Sequence, residues 1–187
     1  MISLYSLKFN ALFSLLYEID LEFAEQTKTK HCRFCGGPLH YANYLRKPRG
    51  GPPDLPEAFQ VRFSLCCSRP ECRRRVLPPS VRFWDRKVYW APVLFLVAAI
   101  RQGRNPDSTF ERLKRFCGVW RSTVKRWQKY FRELFPRSIK YRRLSGRFMP
   151  PIDPDSLPRT LLERFYHRFP DLEAALVACL KTLATKT

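Results

Sequence analysis

Phe116 to Trp127 reads "FCGVWRSTVKRW", and the order of residues in it predicts two helices meeting at a sharp turn. Gly118 takes a left-handed backbone without steric cost, so a helix arriving through Cys117 ends at it. Val124 and Trp127 then mark an apolar stripe on a helix running from about Arg121 to Phe135, which Pro136 stops. Leu113 and Cys117 on the first helix, Val119 past the turn, and Val124 and Trp127 on the second form the expected buried set. The same spacing turns Arg121, Ser122, Thr123, Lys125, Arg126 and Lys129 outward. This is the pattern of a helix-turn-helix, whose second helix offers its N-terminal polar residues to the major groove of DNA. Arg and Lys suit guanine edges there, and Ser and Thr suit phosphates or base edges. Two residues depart from the pattern. Trp120 stands where a Ser, Thr, Asn or Asp cap is usual, and Lys114 occupies a position commonly held by a small residue.

Upstream, "VYWAPVLFLVAAI" spans only Val88 to Ile100, short of the roughly 20 residues a membrane helix needs. It predicts a buried core helix over about 87 to 101, with Pro92 in its first turn. "GRNPDS" breaks it, and Asp107 or Ser108 caps the next helix, with Glu111 three residues after Ser108. The helix-turn-helix unit is thus assigned to residues 86–136.

Further upstream lies "CRFCGG", a C-x2-C pair of Cys32 and Cys35 followed by glycines that permit a tight knuckle. "LCCSRPECRRR" offers Cys67 and Cys72 as its partner pair, with Cys66 as the alternative to Cys67. The favoured set is Cys32, Cys35, Cys67 and Cys72, because Leu65-Cys66 then continues the strand "QVRFSL" and Cys66 is a small buried side chain. Four thiolates suit tetrahedral Zn2+, and a closed four-cysteine site leaves no coordination position for water, so the zinc is expected to be structural. Its role would be to fold residues 31–80, a β-rich module with little core of its own, around the polar loop "KPRGGPPDLPEAF". The expected fold is therefore mainly α with a small β zinc ribbon, the ribbon preceding a helix-turn-helix bundle.

The charge of the chain points the same way. It has 187 residues, 35 of them Lys or Arg against 16 Asp or Glu, for a formal charge of +19. From Lys30 to Pro150 there are 28 basic and 7 acidic side chains, while the two ends hold 7 and 9. Aromatic residues interleave the basic ones in "VRFWDRKVYW" and "IKYRRLSGRF". An excess of this size calls for a polyanion, with duplex DNA first and RNA second. Arg73, Arg74, Arg75, Arg82, Arg86, Lys87, Lys140, Arg142, Arg143 and Arg147 are the candidate phosphate contacts.

The remaining segments carry less chemistry. Residues 1–27 predict an amphipathic helix with Ala11, Leu12, Leu15, Leu16, Ile19 and Phe23 on one side. Residues 137–158 read as an extended, basic, Pro-rich connector, and residues 159–187 as one or two short amphipathic helices. The terminal helices suit packing on the core, or a protein partner or second copy of the chain. Lys8 within the first apolar stretch, and no small-residue cleavage site after it, argue against a secretory signal. With seven cysteines and paired spacing, a reducing cytoplasmic location at the nucleoid is expected, with no membrane contact.

The zinc-ribbon cysteines followed by "FCGVWRSTVKRW" resemble the DNA-binding parts of bacterial insertion-sequence transposases and the zinc-ribbon/helix-turn-helix proteins of mobile elements, over about residues 31 to 136. The resemblance implies recognition of element ends or of an operator by the helix-turn-helix, with the ribbon as a second contact to DNA or a partner. It does not carry over catalysis. A nuclease needs several carboxylates converging on divalent metals, whereas Asp153 and Asp155 in "PPIDPDSLP" suit turn or capping roles. The expected function is that of a non-catalytic duplex DNA-binding protein, a transposition accessory factor or a repressor. The alternative is an assembly subunit that holds nucleic acid without sequence preference and docks a protein partner.

Overall fold

A computed structural model of the chain describes residues 9–52, 54–85, 87–101, 111, 115 and 117–185. Six helices lie among them: α1 (Phe9–Thr29), α2 (Ala91–Arg101), α3 (Arg121–Lys129), α4 (Ile139–Ser145), α5 (Arg159–Tyr166) and α6 (Leu172–Ala184). The strands are β1 (Leu39–Tyr41), β2 (Tyr44–Leu45), β3 (Val61–Arg62), β4 (Leu65–Cys67) and β5 (Arg75–Val76). The molecule is thus mainly helical with small antiparallel sheets beside a four-cysteine cluster, as the sequence predicts in outline.

The helix α2 is the hub. Every residue from Ala91 to Ile100 is buried, apart from Pro92 by no more than 3 % exposure, as befits a helix apolar on all sides. Each buried Val, Leu or Phe contributes about 1.5–3 kcal/mol. Around α2 pack α3, α5 and α6, and the buried side of α1 joins the same continuous core. Trp84, Phe95, Phe131 and Phe135 form its aromatic centre, with ring centroids 5.2–6.0 Å apart among the contacting pairs.

Two sequence expectations change here. The buried side of α1 holds Leu12, Phe13, Leu16, Ile19, Asp20, Phe23 and Ala24, whereas Ala11 is exposed and Leu15 is 44 % exposed. The stripe is rotated because Phe13 packs edge-on against Trp90 at 4.9 Å and Asp20 meets Arg82 inside. The second change concerns residues 137–158, which are not an extended connector. The Ser138 hydroxyl accepts from the Tyr141 N–H at 3.2 Å and starts α4. Tyr141, Leu144, Phe148 and Ile152 are then buried, and the Tyr141 hydroxyl donates to the Ile152 carbonyl at 3.0 Å.

The sheets divide the cysteine module in two. β1, β4 and β5 form one antiparallel sheet, with Leu39 opposite Cys67 and Leu65 opposite Val76. β2 pairs only with β3, Tyr44 opposite Arg62, and these two strands flank the polar loop as expected. The first sheet has a separate small core of Cys32, Leu39, Leu65 and Cys67. The loop between β2 and β3 instead sends Leu55 and Phe59 to the main core. No helix among the described residues is long and apolar enough to cross a membrane.

Candidate metal centre and nucleic-acid interface

Each cysteine pair sits in a backbone knuckle. In the first, the Gly36 N–H donates to the Cys32 carbonyl at 2.7 Å and the Cys32 N–H to the Gly37 carbonyl at 2.9 Å. In the second, the N–H groups of Cys72 and Arg73 both donate to the Arg69 carbonyl at 3.0 Å, and the Cys67 N–H to the Arg74 carbonyl at 3.0 Å. The residue after the second cysteine is left-handed in both: Gly36 at φ +68° and Arg73 at φ +43°. Sequence flagged the glycine; Arg73 has no such signal.

The two knuckles bring the Sγ atoms of Cys32, Cys35, Cys67 and Cys72 within 4.8 Å of one another. Cys32 lies 3.8 Å from Cys72, and Cys35 lies 3.4 Å from Cys67. Tetrahedral zinc with Zn–S bonds of about 2.3 Å requires sulfurs ~3.8 Å apart, so the cluster fits a metal ion such as zinc. The N–H of Phe34 aims at the Cys32 sulfur and draws that thiol down to about 7, assisted by the N–H of Cys35 and by the sulfurs of Cys35 and Cys72. A thiolate held this way is ready for a cation. The cluster takes Cys67 and not Cys66, because successive side chains on β4 point to opposite faces. Cys66 instead donates to the Arg73 carbonyl at 3.3 Å. His31 and His40 are exposed and outside the cluster. Cys117 and Cys179 are buried thiols elsewhere, and burial pushes Cys117 up to about 12 and Cys179 well above its usual value.

At the turn, Gly118 stands at φ +61° with helical residues before it at Cys117 and after it in α3. Cys117, Val119, Val124 and Trp127 are all buried to 5 % exposure or less, and Tyr89 packs edge-on against Trp127 at 4.9 Å. Leu113, Lys114, Asp107, Ser108 and Arg86 lie outside the described residues. Trp120 is the N-cap of α3 with no side-chain cap bond; its carbonyl accepts from Thr123 and Val124, and 69 % of its surface is exposed.

On the outer side of α3, Arg121, Ser122, Lys125, Arg126 and Lys129 are exposed. Thr123 is not. It is 4 % exposed, because it borders the stripe of Val119, Val124 and Trp127, and its hydroxyl accepts from the Arg126 guanidinium at 3.1 Å. Arg121 lies 3.3 Å from Glu111, and Lys129 lies 3.8 Å from Glu133, both exposed pairs of the kind that cost little to break.

The remaining basic candidates are scattered over other elements. Arg73, Arg74 and Arg75 are exposed on and beside the second knuckle, with the Arg74 guanidinium 4.3 Å from the Phe34 ring. Lys87 is exposed near the Tyr130 ring, and Arg142 and Arg143 are exposed on α4, with Arg147 just beyond it. Lys140 is half-buried and paired with Asp85 at 2.9 Å. Arg82 must be withdrawn as a surface contact, since it is fully buried. Its Nε donates to Asp20 at 2.9 Å, and its two other nitrogens donate to the carbonyls of Phe59 and Val61. Asp20 also accepts from the Ser80 hydroxyl and from the Val81 N–H at 2.7 Å. Sequence reading missed this pair, although Asp20 falls at helical spacing between Leu16 and Phe23, a carboxylate on an apolar face.

Compared with protein-family models, curated proteins and solved structures, the chain matches none.

Proposed function

We propose that this protein binds duplex DNA without catalysis, reading sequence with α3 while a zinc-stapled ribbon and α4 grip the phosphate backbone. The observation that carries the reading is the exposed row of Arg121, Ser122, Lys125, Arg126 and Lys129, set on a helix whose other face is locked into the core directly after the left-handed Gly118. A rigid helix with a polar N-terminal half is what a major groove accepts. The formal charge of +19 supplies the long-range attraction.

Sequence-independent affinity comes from Arg73, Arg74, Arg75, Lys87, Arg142 and Arg143, which are exposed and free to meet phosphates. The zinc holds the first three in place. The resemblance to mobile-element DNA-binding proteins suits a transposition accessory factor or a repressor of such an element. The rival reading, an assembly subunit docking a partner through its terminal helices, is less well supported, because the apolar faces of α1, α5 and α6 are already spent on the core.

A competition assay with the full-length protein at two salt concentrations tests the proposal. Duplex DNA is expected to displace a labelled duplex better than single-stranded DNA or structured RNA, with the gap widest at the higher salt. Equal competition by all three would overturn duplex recognition in favour of non-specific polyanion binding.

A further inference from the structure

The loop between β2 and β3 begins "RKPRGG", Arg46 to Gly51, basic residues that the sequence assigns only to a polar loop. In the fold this stretch lies against the helix-turn-helix. The Arg49 N–H donates to the Val88 carbonyl at 2.7 Å and the Trp90 N–H donates to the Arg49 carbonyl at 3.3 Å, so Arg49 is clamped alongside Tyr89. Tyr89 in turn packs edge-on against Trp127 of α3 at 4.9 Å. A Cβ on Gly50 would come within 3.1 Å of both the Tyr89 ring and a Val119 methyl, and one on Gly51 would strike the Trp90 indole. The glycine pair therefore lets the backbone close onto Val119, which stands just ahead of the Trp120 cap of α3.

We infer that Lys47 and Arg49 form a second DNA contact beside α3, holding the phosphate strand that borders the major groove at the N-terminal end of that helix. The inference rests on the reading of α3 as the helix that enters the groove. Lys47 and Arg49 are both exposed, and no carboxylate among the described residues pairs with either. Arg46 does a different job. It is half-buried, its guanidinium donates to the Lys87 carbonyl at 3.0 Å and lies 5.3 Å from the Phe83 ring, and it fastens the start of the loop to the segment ahead of α2. Held at Arg46 and again at Arg49, the backbone between them has little freedom left to lose when its two cations meet an anion.

Position decides which anion. The major groove is about 12 Å across, and a helix that enters by its N-terminal turn passes a phosphate strand at that end. The contact of Gly50 with Val119 sets the loop beside this same turn, next to Trp120 and Arg121. A lysine or arginine there meets phosphates that flank the bases α3 reads, and so fixes the register of the helix without reading sequence itself. This fixed neighbourhood, and not charge alone, assigns the two residues to that strand.

Ethylation interference on a duplex carrying the motif selected by the wild-type protein tests the inference, with affinity measured alongside. The double variant Lys47→Gln/Arg49→Gln keeps two exposed polar stems and every backbone bond of the loop, so its thermal midpoint should stay put. It is expected to select the same motif, to bind it about ten-fold more weakly or worse, and to show a slope of log K against log salt reduced by about 1–2. Interference should vanish at phosphates immediately beside the motif on one side and persist at the others. Wild-type affinity in the variant, or weaker binding with an unchanged interference pattern, would overturn this inference while leaving the reading of α3 intact. A wild-type protein that selects no motif defeats both.

Discussion

Gly118 sits at φ +61° with no atom within 4 Å of where a Cβ would stand, so its conformation and not its packing requires glycine. Gly118→Ala therefore costs only the left-handed backbone penalty, roughly 1–2 kcal/mol, visible as a lower urea midpoint with an unchanged slope. Asp20 and Arg82 present the opposite case. Both are fully buried, and Asp20 gathers three donors while Arg82 serves three acceptors. Asp20→Asn leaves a buried guanidinium without its counter-charge and should destabilise the fold by about 3–5 kcal/mol. Arg82→Lys keeps the charge but not the fork, and is expected to show a comparable loss in the same denaturation series. Thr123→Val, by contrast, should leave sequence preference intact, since that side chain faces inward.

At the scale of elements, the cysteine sheet is expected to depend on a metal held by its four sulfurs. Leu39 and Leu65 are its fully buried aliphatic residues, worth about 1.5–3 kcal/mol each. Ordering the backbone costs ~1–2 kcal/mol per residue, so two leucines cannot hold β1, β4, β5 and both knuckles. Structural zinc supplies ~10–16 kcal/mol in comparable small sites. Cys35→Ser is expected to abolish stoichiometric zinc in metal analysis and to open residues 31–41 and 65–76 to limited proteolysis. The β2–β3 arm should survive, because Phe59 and Arg82 tie it to the main core, and the helical circular dichroism should change little. Full zinc retained by the variant would refute the ligand set. The knuckles were legible in the sequence because paired cysteines and glycines act over a few residues. So was the turn at Gly118. The Asp20–Arg82 pair was not: Asp20 stands out as a carboxylate on an apolar helix face, but its partner lies 62 residues away and nothing local names it. α4 escaped notice because it is only seven residues long and lies in a basic stretch bounded by Pro136 and Gly146 and followed by prolines.

The whole molecule joins the four-cysteine sheet to a helical core through α1, and the core holds α3 while its outer face stays polar. On the proposed reading, affinity and selectivity rest on different residues. Arg142→Ala should weaken binding to every duplex alike and reduce the slope of log K against log salt by about 0.9. Arg121→Ala or Lys125→Ala should instead relax discrimination among sequences, by about 1–3 kcal/mol for each base that the helix no longer reads. The most direct test is selection of binding sites from a randomised duplex pool by the wild-type protein and by the Arg121→Ala/Lys125→Ala variant. One enriched motif is expected for the wild type and is expected to disappear in the variant, while overall affinity for the unselected pool persists. No enriched motif for the wild type, or the same motif recovered by both proteins, would contradict the reading of sequence by α3.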